Sequence, residues 1–495
     1  MLLLFLTASS AANAYDLLVV GGGSAGLTAA KFAARFGKSV ALIEKERLGG
    51  DCTWTGCIPS KSLIASAQVA NTVRSSESFG VAGARTSVSV DMAAVKSRIR
   101  RIIGEIYDAD DSAEALKKLG IDAISGNARL VDARSIAVTS GADGDSTVYT
   151  ANKGIVVATG ARPRTPPIDG IDSVPYLTYE QIFDLDVVPS KLTVVGGGPI
   201  GVELSQAFAR LGASVTLVAP ALIPGHEPEA AADLAGALAA DGVKVVPARA
   251  KSVQRSSADG HALSCSDGTI IEGSTLLVAI GRVPAVDGMG LKELGVEFEQ
   301  RTGGIVVDTK LRTSVKGVYA AGDCTGDQQF THYAGFQGAI AARNILLPLS
   351  DPGVVAERVP AVIFSSPEVA RVGLTEAAAR AADSSGKGVS VAFRRMGKVD
   401  RAITMGQDKF GFLKIIYKPT DGTILGATVM GPSAGELISE IAVAMAGKVK
   451  LPALASIMHA YPTVSIALQQ MAAEVYYDQL EKSMPLYNTL SKLGL

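Results

Sequence analysis

The stretch Tyr15-Asp16-Leu17-Leu18-Val19-Val20-Gly21-Gly22-Gly23-Ser24-Ala25-Gly26 decides the fold. Its apolar run, Asp16 to Val20, ends in glycines, and Ala25 to Phe36 continues with small and apolar residues at helical spacing. Ser39 to Ile43 is a second apolar run. Strand, helix, strand is the unit of a parallel sheet. The glycines match GxGxxG. Gly21 permits a tight turn, Gly23 lets a pyrophosphate approach the backbone, and Gly26 lets helix pack on strand. The helix N-terminus then faces the phosphates. Glu44 closes the second strand, where a carboxylate that binds ribose hydroxyls is expected.

The unit recurs. Leu192 to Val195, Ile200 to Leu211 and Ser214 to Val218 repeat the pattern around Gly196-Gly197-Gly198-Pro199-Ile200-Gly201. Two nucleotide-binding domains of one kind are therefore expected. The second site differs at the end of its second strand, where Ala219 offers no carboxylate and no arginine follows. His226, the nearest basic residue, reads as a solvated loop histidine, and the choice between NADH and NADPH stays open.

Return strands run into glycine at Gly154 to Thr159-Gly160, at Leu276 to Gly281-Arg282, and at Gly317 to Gly322-Asp323. Asp143 to Ser146 reads as a hairpin tip and Pro348 to Pro352 as a linker. The tail has strands at Gly411–Tyr417 and Gly426–Met430 and helices at Ala434–Ala446 and Leu451–Met458. It carries no glycine fingerprint, which suggests an interface domain.

The chain has 495 residues, 47 Lys plus Arg against 48 Asp plus Glu, and a net charge of −1. That balance argues against nucleic acid or an anionic membrane as partner. Hydrophobic residues are 47% and charged residues 19%, a globular composition. No apolar run is long enough to span a membrane. Met1 to Ala14 reads as a leader or targeting segment of undecided compartment.

Cys52, Cys57, Cys265 and Cys324 are the only cysteines, too few for a disulfide-built secreted scaffold. Cys52 and Cys57 lie in Gly49-Gly50-Asp51-Cys52-Thr53-Trp54-Thr55-Gly56-Cys57-Ile58-Pro59-Ser60-Lys61. A helix starting near Pro59 would put Cys57 at a helix N-terminus, which stabilises a thiolate. Lys61 follows one turn later. Beside a dinucleotide fold this pattern reads as redox chemistry. Trp54 shapes access or simply packs. Cys265 and Cys324 read as buried small hydrophobes. No His/Cys cluster has zinc-site spacing, so no metal is expected.

This stretch resembles the active site of the class I pyridine nucleotide–disulfide oxidoreductases, relatives of dihydrolipoamide dehydrogenase, glutathione reductase and mercuric reductase. The resemblance runs from about Tyr15 to Glu481 and includes both glycine loops, Thr159-Gly160 and Gly322-Asp323. It implies an α/β flavoprotein homodimer with two Rossmann-like domains and a C-terminal α+β dimerisation domain. FAD would occupy residues 15–160 and 285–350, NAD(P)H residues 161–284, and residues 351–495 would form the dimer. FAD would contact Gly21, Gly23, Gly26, Glu44, Gly50, Lys61, Thr159, Gly160 and Asp323. NAD(P)H would contact Gly196, Gly198, Gly201, Glu203, Gly281 and Arg282. The resemblance also implies a relay from NAD(P)H through FAD to a Cys52–Cys57 disulfide. Cys57 would face the flavin, Cys52 would meet the acceptor, and Lys61 and Glu203 would pair near the two cofactors.

One segment departs from the pattern. Members that reduce disulfides end in His-Pro-Thr-x-x-Glu, whose His moves protons at the thiol of the other subunit. Here the segment is His459-Ala460-Tyr461-Pro462-Thr463-Val464-Ser465-Ile466. Tyr461 replaces the His and Ile466 the Glu, while His459 reads as a packed or interface residue. A Tyr in this place looks like mercuric reductase, but no Cys follows Cys324 to hand over a metal. A mercuric reductase-like or uncharacterised disulfide reductase, taking a thiol or metal-thiolate acceptor, is the expected function. Dihydrolipoamide dehydrogenase is second, and a flavin-loaded redox sensor is third.

Overall fold

A computed structural model describes residues 13–82, 88–140, 145–257, 260–348 and 350–492. Of the leader expected at Met1 to Ala14, residues 1–12 lie outside the described residues, as do 143 and 144 of the hairpin tip expected at 143–146. The Pro348–Pro352 linker is described except for residue 349. The chain forms two compact units, Met1–Pro189 with Thr275–Ala356 and Ser190–Ser274 with Glu357–Leu495.

In the first unit, β1 (Ala14–Val20), α1 (Ser24–Arg35) and β2 (Val40–Glu44) form the expected strand-helix-strand unit. Next come α2 (Gly50–Trp54), α3 (Cys57–Ser75) and α4 (Met92–Ile106), then β3 (Ile121–Ser125), β4 (Asn127–Leu130), β5 (Ser135–Ser140) and β6 (Asp145–Val157). The sheet order is β3-β2-β1-β6-β5-β4, with Val318–Ala320 also pairing β6. β1 runs parallel to β2 and β6, while β4, β5 and β6 form an antiparallel meander. Alternate residues of β1 enter opposite cores. Leu17 and Val19 join alanines of α1 and of the helix Thr331–Leu346, and Leu18 and Val20 join Ile136, Val138 and Leu291. A strand buried on both faces reads as a continuous apolar run, which is why it was visible in the sequence. The two helices touch closely, because a Cβ on Gly338 would lie 2.0 Å from the Ala25 carbonyl oxygen.

In the second unit, Lys191–Val195, Pro199–Leu211 and Ser214–Val218 repeat the pattern, and Lys244–Val246 extends the parallel sheet. Its C-terminal part is a five-stranded antiparallel sheet in the order 361–363, 368–373, 424–431, 412–417, 390–395. Ile438 and Ile441 of the helix Ala434–Ala446 pack on it with Leu468 and Met471 of the helix Ile466–Lys492. The helix expected at Leu451–Met458 is a six-residue 3-10 turn, Leu451–Ser456, with Pro452 in its first turn. The long helix from Ile466 was not anticipated, because Ile466 had been read only as a substituted motif position. No described helix is long and apolar enough to cross a membrane.

Candidate active site

The first glycine loop lines a cavity of about 550 Å³ in the first unit, a size usual for cofactor sites. Gly21 has φ +105°, and a Cβ there would meet the Ala158 carbonyl oxygen at 2.3 Å. Only glycine takes that turn. A Cβ on Gly26 would lie 1.8 Å from the Gly21 oxygen, so Gly26 lets α1 close onto the loop. Gly50, with φ +57°, brings a second pass of chain against Gly23. The Glu44 carboxylate is held by backbone donors, Gly22 N–H at 2.6 Å and Glu46 N–H at 2.7 Å. Thr159 and Gly160 also line the cavity, and the buried Thr159 Oγ1 has no hydrogen-bond partner among the described residues. An unpaired buried hydroxyl, a cradle that side chains would fill, and a helix N-terminus together fit FAD.

The cysteine segment folds as two helices, α2 carrying Cys52 and α3 opening with Cys57 itself. The start expected near Pro59 thus lies two residues earlier. Pro59 fits inside the first turn because its missing N–H would have no partner there. Gly56 makes the joint, since a Cβ would lie 2.7 Å from the Asp51 carbonyl oxygen. Both sulfurs are half-buried thiols. Cys52 is on the cavity wall with Thr331, and Cys57 Sγ lies 3.1 Å from Thr331 Oγ1. A hydrogen bond with Cys57, and next burial, hold the Cys52 thiol well above its ordinary pKa. Cys57 heads α3, so its sulfur lies at the positive end of that helix.

Arg282 ties the cavity wall together. Its Nη1 donates to Asp323 Oδ2 at 2.7 Å, its Nη2 pairs with Asp51, and its Nε donates to the Tyr179 hydroxyl at 3.2 Å. Burial raises the Asp323 carboxyl above its ordinary value, and Arg282 partly offsets this. Arg282 and Asp323 were expected at different cofactors. The structure joins them on the wall of one cavity, with Gly281 at φ +108° just before Arg282. Trp54 lines the cavity and packs between Arg47 and Tyr107, as the packing alternative expected. Its indole N–H donates to the Leu48 carbonyl at 2.7 Å. Behind α2, Thr53 Oγ1 donates to Asp111 Oδ2 at 2.8 Å, both residues being buried.

Lys61 is half-buried in α3, one turn past Cys57. Glu203 belongs to the other unit and is not a solvated charge. It is buried in the helix Pro199–Leu211, and its Oε1 accepts the Phe364 N–H at 2.9 Å. The second glycine loop opens that helix. Gly196 has φ +123°, a Cβ on Gly197 would lie 2.2 Å from the Ala221 oxygen, and the space above Gly198 is open. Gly201 is buried in the first turn. His226 is also a correction, since it is half-buried rather than solvated. Burial first, and then the Arg371 charge, push its pKa down to about 4.

In the C-terminal segment, His459 turns inward. Its Nε2 meets Glu440 Oε1 at 2.6 Å and its Nδ1 meets the Ile457 carbonyl at 2.8 Å. Tyr461 turns outward, 66% exposed, and its hydroxyl donates to Asp400 Oδ2 at 2.9 Å. Cys324 and Cys265 are buried, as expected. Sequence reasoning missed Asp51, Asp111, Tyr179, Thr331 and Asp400. Asp51, next to Cys52, could have been flagged. Asp111, Tyr179 and Thr331 reach the site from distant segments, and Asp400 meets Tyr461 in the second unit, none of them with a local motif.

The chain is similar to known proteins along most of its length. Residues 15–338 match the family described as pyridine nucleotide-disulphide oxidoreductase, and residues 359–472 match its dimerisation domain. The dihydrolipoyl dehydrogenase of Chlorobaculum tepidum is 35% identical over 94% of this chain and 98% of its own. LpdA from Mycobacterium tuberculosis superposes with a TM-score of 0.83 at 32% identity, covering 93% of this chain and 99% of its own. A Cu(II) complex of the HOCl-induced flavoprotein disulfide reductase RclA from Escherichia coli gives 0.82 at 27% identity, covering 94% and 100%.

Proposed function

Since this chain belongs to the pyridine nucleotide-disulphide oxidoreductase family, we propose that it reduces a disulfide acceptor with electrons from NAD(P)H, through Cys52 and Cys57. It is an NAD(P)H-dependent flavoprotein oxidoreductase with a dimerisation domain. Bound FAD supplies two-electron transfer between the nicotinamide and the sulfur pair. The chain's own residues do the rest. Glu44, the glycine loop and Thr159 would hold the cofactor, while Arg282 fixes Asp51 and Asp323 on the cavity wall. Residues 15–160 with 285–350 would carry the flavin, joined at the cavity wall by Glu180 and Arg282, and the rest of residues 161–284 would carry the nicotinamide. Opening α3 at Cys57 prepares that sulfur as the thiolate and leaves Cys52 to attack the acceptor.

The single observation that carries this reading is the placement of the sulfurs. Cys52 and Thr331, the partner of Cys57, share the wall of the cavity that the glycine loop lines. Tyr461 in the family's histidine position leaves room for a metal-thiolate acceptor of the mercuric reductase kind beside a disulfide. The similarity to a dihydrolipoyl dehydrogenase favours a second reading, dihydrolipoamide oxidation. Against it stands His459, with both ring nitrogens already engaged.

A steady-state panel tests the choice. NADH or NADPH consumption is followed with lipoamide, glutathione disulfide and a mercuric thiolate as acceptors, and dihydrolipoamide oxidation is followed with NAD. The proposal expects reduction of a disulfide that Cys52→Ser abolishes with FAD still bound. Undiminished turnover in Cys52→Ser overturns it.

A further inference from the structure

The segment that handles protons in the family lacks both its His and its Glu here, yet thiol–disulfide exchange still needs a group to take and return the proton of the attacking sulfur. Resting on the sulfur relay proposed above, we propose that Tyr461 and Asp400 form that group. Tyr461 would meet the Cys52 thiol of a second copy of the chain, and Asp400 would be the positioning residue behind it.

Asp400 is the first residue of a short helix, Asp400–Thr404, and lies 61 positions from Tyr461 in sequence. Its carboxylate accepts the phenol proton at 2.9 Å. Ile466 leaves no carboxylate at the family's position, so the structure supplies one from a different element. The loop that presents Tyr461 is braced by Thr463, whose Oγ1 donates to the Ala460 carbonyl at 2.6 Å. Tyr461 is exposed on the single chain, as a residue that faces a second copy must be.

His459 cannot do the same work. Its imidazole is tied at both nitrogens and its side chain is 6% exposed. The His459–Glu440 pair is therefore an internal brace, although it has the composition of the family's dyad.

The direction of the phenol hydrogen bond sets the chemistry. With its O–H pointed at Asp400, Tyr461 offers only oxygen lone pairs to an approaching group. The Cys52 S–H donates to Tyr461 Oη. As that proton moves to Oη, the phenol proton moves to Asp400 Oδ2. One S–H and one O–H bond break and two O–H bonds form. The products are a thiolate, a neutral phenol and a neutral carboxylic acid, with no change of oxidation state. The reverse transfer returns the proton to a leaving sulfur. The bond to Asp400 also raises the phenol pKa, so Tyr461 passes the proton on and does not act alone as a phenolate base.

Alkylation of the reduced homodimer tests this without any assumption about the acceptor. Two-electron-reduced holoenzyme is treated with iodoacetamide at pH 7, and modification of Cys52 and Cys57 is timed by mass spectrometry. Asp400→Asn and Tyr461→Phe should each slow Cys52 alkylation at least about tenfold, below the range usual for general-base loss. The double variant should be no slower than either single one, as for residues acting as a unit. Asp400→Glu should recover most of the rate, and His459→Gln should keep it. Cys57 alkylation and the thermal midpoint should stay unchanged. A Cys52 rate within twofold of wild type in Asp400→Asn overturns the Tyr461–Asp400 pair. The relay fails separately, through undiminished turnover in Cys52→Ser.

Discussion

Arg282 and Asp323 form a half-buried ion pair on the cavity wall, Nη1 to Oδ2 at 2.7 Å, although they lie 41 positions apart in sequence. Asp51 and Tyr179 complete the network around the guanidinium. Removing one partner of a partly desolvated pair leaves the other charge uncompensated at the cavity wall. Arg282→Met should therefore weaken FAD retention at least about tenfold, as about 1.4 kcal/mol already gives that factor. Flavin fluorescence released on dilution measures it. Arg282→Lys should rescue little, because an ammonium cannot reproduce the planar fork.

Thr53 and Asp111 hold the helix that carries Cys52. The bond between them is buried, and Lys31 Nζ stands 3.8 Å from the other Asp111 oxygen. Asp111→Ala leaves the Thr53 hydroxyl buried without its acceptor, at a cost of about 1–3 kcal/mol. A lowered denaturant midpoint is expected. Thr53→Val with Asp111→Ala should lose less than the sum of the two single changes.

Part of this architecture was legible and part was not, for physical reasons. β1 was visible because both its faces are buried, and Gly21 and Gly26 because backbone oxygens occupy the space of a side chain. The joining of Arg282 to Asp51 was invisible, since they lie 231 positions apart. Likewise no local pattern announces Thr331 as the partner of Cys57. His226 was misread because a Gly-Pro-rich loop looks solvated, whereas its own backbone folds back onto Ile223. His459 and Tyr461 differ by two positions, yet one points inward and the other outward.

Lys414 is buried among Glu227, Glu229 and Glu376, at 2.8, 2.9 and 2.8 Å. Lys414→Met would leave three carboxylates crowded without a cation and should cost about 3–5 kcal/mol. Glu376 is held below its ordinary pKa, first by its bond to Lys414 and then by Arg380. Such a depressed carboxyl contributes stability above its unfolded pKa of about 4.3, and loses it as pH falls through the lower folded value. Wild type should lose stability more steeply than Lys414→Met below about pH 4. Urea midpoints across that range decide it.

His226 gives a second pH dependence. Its folded pKa, about 4, lies below the ordinary value of 6.5. The neutral ring is thus favoured in the fold, and its contribution is complete above pH 6.5 and lost as pH falls toward 4. His226→Gln should flatten the thermal midpoint between those limits, relative to wild type.

The central claim is that the flavin site and the sulfur pair form one electron path. Anaerobic two-electron reduction of the purified holoenzyme by NADPH, and separately by NADH, tests it most directly through the visible spectrum. The account predicts a long-wavelength thiolate-to-flavin charge-transfer band that disappears in Cys57→Ser. Bleaching of the flavin without that band in the wild-type protein would contradict it.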